Sequence, residues 1–85
     1  MTGIEVARAV VAQRQCHLFR PALGRPGEYD ARPYGSGSKC GWVALDLFSA
    51  GAIATVYDAL KPENQAKFAS FPIQMMARVA FKLIA

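Results

Sequence analysis

Cys16, Cys40 and the single histidine, His17, are the side chains whose types could hold a soft metal or supply a nucleophile. A structural zinc site takes four ligands, usually in paired C-x-x-C or H-x-x-x-H spacing, and three candidates fall short of it. Cys16 and His17 are also neighbours, so on a strand they point to opposite faces. Neither a metal centre nor a Cys/His nucleophile pair is expected; Cys40 reads as a small core residue and His17 as a surface or internally satisfied one. The stretch RPYGSGSKCGW, residues 32–42, carries three glycines, two serines and a lysine, the ingredients of a phosphate cradle. Such a cradle requires G-x-x-x-x-G-K-[ST] between a strand and a helix, so that helix amides meet the anion. Here Lys39 is followed by Cys40, the glycine spacing differs, and the next segment reads as a strand. The glycines then serve the positive φ angles of a hairpin connection.

The six carboxylates, Glu5, Glu28, Asp30, Asp46, Asp58 and Glu63, mostly occupy caps, turn entries or exposed strand positions. Glu28 and Asp30 share a strand face, but a catalytic pair needs an enclosed cleft to separate its pKa values. Ser36, Ser38, Ser49 and Ser70 read as turn or cap residues. No catalytic, cofactor-binding or metal-ligating set is expected, and the chain reads as a non-enzyme.

The elements that position these residues follow from spacing. Thr2 and Glu5 form a capping-box pair, and Ile4, Ala7, Val10 and Val11 recur at helical intervals, with Val6 at the stripe's edge, so a helix should run from Thr2 to Arg14 or Gln15. CHLFR suits a short strand, and PALGRPG must be a loop. EYDARPY alternates, with Tyr29 and Ala31 on one face; Pro33 consigns its far end to an edge. KCGWVALD places Cys40, Trp42 and Ala44 on one side and Gly41, Val43 and Leu45 on the other. From Asp46 or Ser49, either of which can cap, the period is helical to about Leu60, with Ile53, Val56, Tyr57 and Leu60 as the stripe. Ala50, Gly51, Ala52 and Ala54 make the first turns thin enough for close backbone approach. Pro62 and Pro72 each open a further helix. The last one buries Ile73, Met76, Ala80, Leu83 and Ile84, is widened by Met75 and Val79, and keeps only Gln74, Arg78 and Lys82 polar. A helix so apolar belongs at the centre of the core.

The expected fold is therefore α+β, one domain over residues 1–85. It has an N-terminal helix, a three-stranded antiparallel β-meander and three C-terminal helices packed on one sheet face. Its core should contain Ile4, Val10, Val11, Leu18, Trp42, Leu45, Ile53, Val56, Leu60, Phe68, Met76, Ala80 and Leu83.

A chain of 85 residues with 53% hydrophobic and 19% charged residues has more apolar side chains than so small a body easily hides. Self-association or a protein ligand is the natural outlet, with Met75, Val79, Arg78 and Lys82 on the last helix as the expected partner-binding residues. No segment reaches the ~18 apolar residues of a membrane span, and no secretion signal is seen at the start, so an intracellular chain with free thiols is expected. The net charge of +4 is dispersed rather than blocked, which reads as a solvated surface. The competing reading is nucleic-acid binding. Helices over 49–60 and 62–70 would resemble a helix-turn-helix with Asn64, Gln65 and Lys67 turned outward, although the break is short and lacks glycine. A second competing surface is the sheet, where Arg20, Arg32, Tyr29, Tyr34 and Trp42 would stack on a single strand.

The segments MTGIEVARAVV, GWVALDLFSAGAIATVYDAL and FASFPIQMMARVAFKLI are similar to small uncharacterised accessory proteins of actinobacterial (mycobacterial-type) tailed phages. The resemblance spans most of the chain outside residues 21–27 and 35–39 and rests on caps and apolar positions. It implies a non-catalytic accessory protein in the host cytoplasm, acting on a host protein or on itself, and supplies no catalytic residues.

Overall fold

The computed structural model describes residues 1–35 and 40–84. Chain order is α1 (Gly3–Gln13), β1 (His17–Pro21), β2 (Tyr29–Pro33), β3 (Val43–Leu45), α2 (Leu47–Ala59), α3 (Pro62–Ala69) and α4 (Ile73–Ile84). This is the expected α+β class.

Helix α1 starts on the capping box: the Glu5 amide donates to Thr2 Oγ1 at 3.2 Å, and the Thr2 amide donates to Glu5 Oε1 at 2.7 Å. Hydrogen bonding of the Glu5 carboxylate to Thr2, first of all to the Thr2 amide, favours its ionised form and lowers its pKa. At the other end Arg14 turns left-handed (φ 50, ψ 42), so that its amide reaches Val11 O and the Gln15 amide reaches Val10 O. This is the usual helix-terminating loop, made with an arginine in the place glycine favours. Gly3, Ile4, Val6, Ala7 and Val10 are buried, whereas Val11, expected inside, is 38% exposed. The helix is gripped by the sheet on one flank and α2 on the other. The buried arc is therefore displaced toward Val6. A Cβ at Gly3 would meet the tip of the Met76 side chain and crowd Ile73, so the start of α1 packs against the first turns of α4 with little room to spare.

The three strands are antiparallel neighbours in the order β2-β1-β3, not the expected meander. His17, Leu18 and Phe19 pair with Pro33, Arg32 and Ala31 on one side and with Leu45, Ala44 and Val43 on the other. β1 takes the centre because its first three residues are all buried, a pattern that neither other strand has. Pro33 lacks an amide hydrogen and stays at an edge, as its chemistry requires. β2 and β3 lie on opposite sides of β1 and so do not pair with each other as a hairpin. Gly35 and Gly41 in the turns between them have φ of 106 and 79. The expectations for Ser36, Ser38 and Lys39 lie outside the described residues. The free edge of β2 is occupied at its start by the chain's own beginning: the Met1 amine donates to Tyr29 O, and the Tyr29 amide donates to Met1 O at 2.6 Å.

One core joins the helices to the Phe19, Ala31 and Leu45 face of the sheet. Within it the Phe19 and Tyr29 rings meet edge-on at 5.7 Å, and the Tyr29 hydroxyl accepts the Ile73 amide at the start of α4. Helix α1 is the main layer against the strands, and α2 stands behind it, touching α1, α3 and α4. The centre of the helical layer is thus α2, whose Ala50, Ala52, Ile53 and Val56 are buried. Helix α4 buries only Ile73, Met76 and Ala80 and leaves Leu83 61% and Ile84 54% exposed. That corrects its expected central place: its last turn runs past the end of the elements that cover it.

Candidate functional site

The residues with chemical potential are dispersed and mostly occupied. His17 is buried, and its Nδ1 lies 2.8 Å from the Gln15 carbonyl oxygen, which can only accept, so Nδ1 carries the proton. Cys16 is half-buried, and desolvation, with the Asp46 charge second, pushes its thiol pKa up, which makes it a poorer nucleophile at neutral pH. Cys40 is exposed, contrary to the core position expected for it. Among the described residues no three of the His, Cys, Asp and Glu side chains cluster as metal ligands would.

The carboxylates hold structure together. Asp46 caps α2, accepting the Ser49 amide at 2.8 Å, and hydrogen bonds from Ser49 lower its pKa. Asp30 pairs with Arg20 at 3.4 Å, Asp58 with Arg8 at 2.7 Å, and Glu28 lies 3.9 Å from the Met1 ammonium. Glu63 sits in the first turn of α3, where the helix dipole favours a negative charge.

The outer face of the sheet carries Leu18, Arg20, Asp30, Arg32 and Ala44, with Trp42 beside them. The Trp42 ring centroid is 4.4 Å from the Arg20 guanidinium carbon and 4.6 Å from that of Arg32. In the strand register Arg32 stands opposite Leu18, and Arg20 two residues beyond it. Leu18, on the same face, is only 2% exposed and outside the helix-side core, so this face has a small covered patch of its own, flanked by the Arg20–Trp42–Arg32 cluster. Trp42 was expected beneath the helices; it lies on the other side instead. Tyr29 faces the helices, Tyr34 is 43% exposed, and the five residues weighed as a stacking platform do not form one surface.

The expected base-reading residues are also divided. Asn64 and Lys67 are exposed on α3, but Gln65 is turned inward, its Nε2 donating to Tyr57 O at 2.8 Å. That bond satisfies a carbonyl near the C-terminal end of α2 and fixes the corner between the two helices.

An open apolar groove of about 700 Å³ lies between the start of α2 and the end of α4. Leu47, Phe48, Gly51, Ala52, Thr55, Phe81 and Ile84 line it. Phe48 is 75% exposed, Leu47 44% and Phe81 36%, and the Phe48 and Phe81 rings stack at 5.5 Å. Gly51 forms part of the floor, with nothing within 4 Å of where a Cβ would stand. None of Met75, Arg78, Val79 or Lys82 lines this groove; Met75 is 45% exposed, Val79 leans on the core, and Arg78 and Lys82 are exposed. The groove residues had a signal in the sequence: positions 47–57 contain no charge, although they form a helix with a side open to solvent.

No described helix is long and apolar enough to cross a membrane. Compared with known protein families, curated proteins and solved structures, the chain matches none.

Proposed function

We propose that the chain is a non-catalytic phage accessory protein that works by binding protein, and that the α2/α4 groove is the surface it binds with. The observation that carries this reading is Phe48, a large aromatic side chain three-quarters exposed beside further exposed apolar residues. A contiguous apolar patch of this kind is costly in water, and on small soluble proteins such patches mark interaction surfaces. The resemblance to actinobacterial phage proteins suggests a bacterial host protein or a second copy of the chain as the ligand, met in the host cytoplasm.

The test is retention on immobilised protein. Wild-type chain should hold a protein ligand that a Phe48→Asp variant of unchanged circular dichroism releases, and should not hold labelled duplex or single-stranded DNA at low salt. The competing reading predicts DNA retention that falls steeply with salt and with Lys67→Ala, and that result would replace the proposal.

A further inference from the structure

We infer that the occupant of the α2/α4 groove is a second copy of this chain, joined across a two-fold axis so that α2 and α4 of both copies form one four-helix layer. The inference rests on the reading of that groove as a protein-binding surface and adds the identity of the ligand.

Area is the first argument. With ~200 Å² for a fully exposed phenylalanine and somewhat less for leucine or isoleucine, the exposed parts of Leu47, Phe48, Phe81 and Ile84 come to roughly 400 Å². A stable interface of standard size buries about 800 Å² per partner, and at the ~65% apolar share of homodimer interfaces roughly 520 Å² of it is apolar. The patch alone supplies about three-quarters of that apolar requirement.

Charge is the second. The chain carries +4, which opposes self-association, and least so where the surfaces that meet carry no charge. The groove lining is uncharged throughout. A basic chain whose apolar face is free of charge can meet itself there without placing like charges in contact.

Shape is the third. A two-fold interface must be self-complementary, so one patch has to contain both a projection and a recess that fits it. Phe48 is the projection, and Gly51 with Ala52 is the recess, one helical turn further along α2. Rotation about an axis between them sets the ring of each copy over the thin turn of the other. The small residues let the two α2 backbones approach to the short end of the 8–10 Å range of packed helices.

The experiment is light scattering and sedimentation of the full chain from low micromolar to several hundred micromolar. The expected result is a concentration-dependent rise to twice the 9.2 kDa chain mass. Phe48→Asp should hold the chain at single mass. Gly51→Gln is the sharper variant, because it fills the recess with a good helix former where nothing obstructs a side chain, so the fold is kept while the partner's ring is excluded. Leu23→Asp, at a 98% exposed turn position remote from the groove, should leave the dimer intact. A wild-type chain of single mass at the highest concentration overturns the inference, and so does a dimer indifferent to both groove variants. If the single-mass chain still binds a host protein through Phe48, the second copy is refuted while the groove stands as a protein-binding surface.

Discussion

Replacing Trp42 with alanine removes the aromatic ring from the outer side of the sheet, and its cost can be worked from the contacts. Two guanidinium–indole contacts at 4.4 and 4.6 Å are lost. At a half-buried site these contribute about 0.5–1 kcal/mol each. Leu18, 2% exposed on the same face of the sheet, should be partly returned to water. Roughly half of the ~1.5–3 kcal/mol for burying such a side chain goes with it. The sum is about 2–3 kcal/mol, against a total stability of about 4–13 kcal/mol for a chain of this length. At about 4–8 °C per kcal/mol the melting temperature should fall by roughly 10–20 °C. Far-UV circular dichroism during heating and urea titration reads this directly. Trp42→Phe, which keeps an aromatic face, should lose less than half as much. In the wild type the single tryptophan also makes fluorescence a local reporter of this face. A loss below about 1 kcal/mol for Trp42→Ala would refute the argument that the Arg20–Trp42–Arg32 cluster shields Leu18.

The caps of α1 and α2 give an acid limb. Glu5 and Asp46 have folded pKa values below their ordinary ones, so their contribution is complete above the usual carboxylate range near pH 4. It is lost as pH falls through that range toward the lowered values. Melts from pH 7 to 2.5 should show this, and Asp46→Ala should flatten the limb and cost about 1 kcal/mol at neutral pH. Arg14→Gly relieves a left-handed arginine at the end of α1 and should raise stability by roughly 0.5–1 kcal/mol in urea titration. Ile53→Ala, at a fully buried position on the central helix, should cost about 2–5 kcal/mol and leave much of the chain unfolded at 37 °C by circular dichroism.

The parts of the fold legible in the sequence are those written in local chemistry. Thr2 and Glu5 announce α1, Asp46 announces α2, Pro62 opens α3, and alternation around Tyr29 and Ala31 marks the strand face that meets the helices. Order in space is not local. Alternation places Trp42 and Leu45 on opposite faces, but it does not say that the Leu45 face is the one covered. Likewise nothing within HLF says that it will have a neighbour on both sides; that depends on which strand can bury most. The end of α4 departs from its expected burial for a related reason. Leu83 and Ile84 continue an apolar stripe, but no described element extends far enough to cover them. Exposed apolar residues therefore look the same in sequence as buried ones, and the groove emerged only when α2 and α4 were set side by side. Its one local trace was the missing charge across residues 47–57.

The stitching of Met1 to Tyr29 restricts how this protein can recognise anything else. Many small domains capture an extended peptide by adding it to a sheet margin, with main-chain hydrogen bonds giving the affinity. On the β2 side that margin is spent, taken at one end by Met1 and closed at the other by the missing proton of Pro33. On the β3 side it is three residues long, enough for only a couple of bonds to a stranger. For the binding role proposed above, that leaves rings and branched chains on the helices, whose chemistry can be rewritten one residue at a time without disturbing a strand.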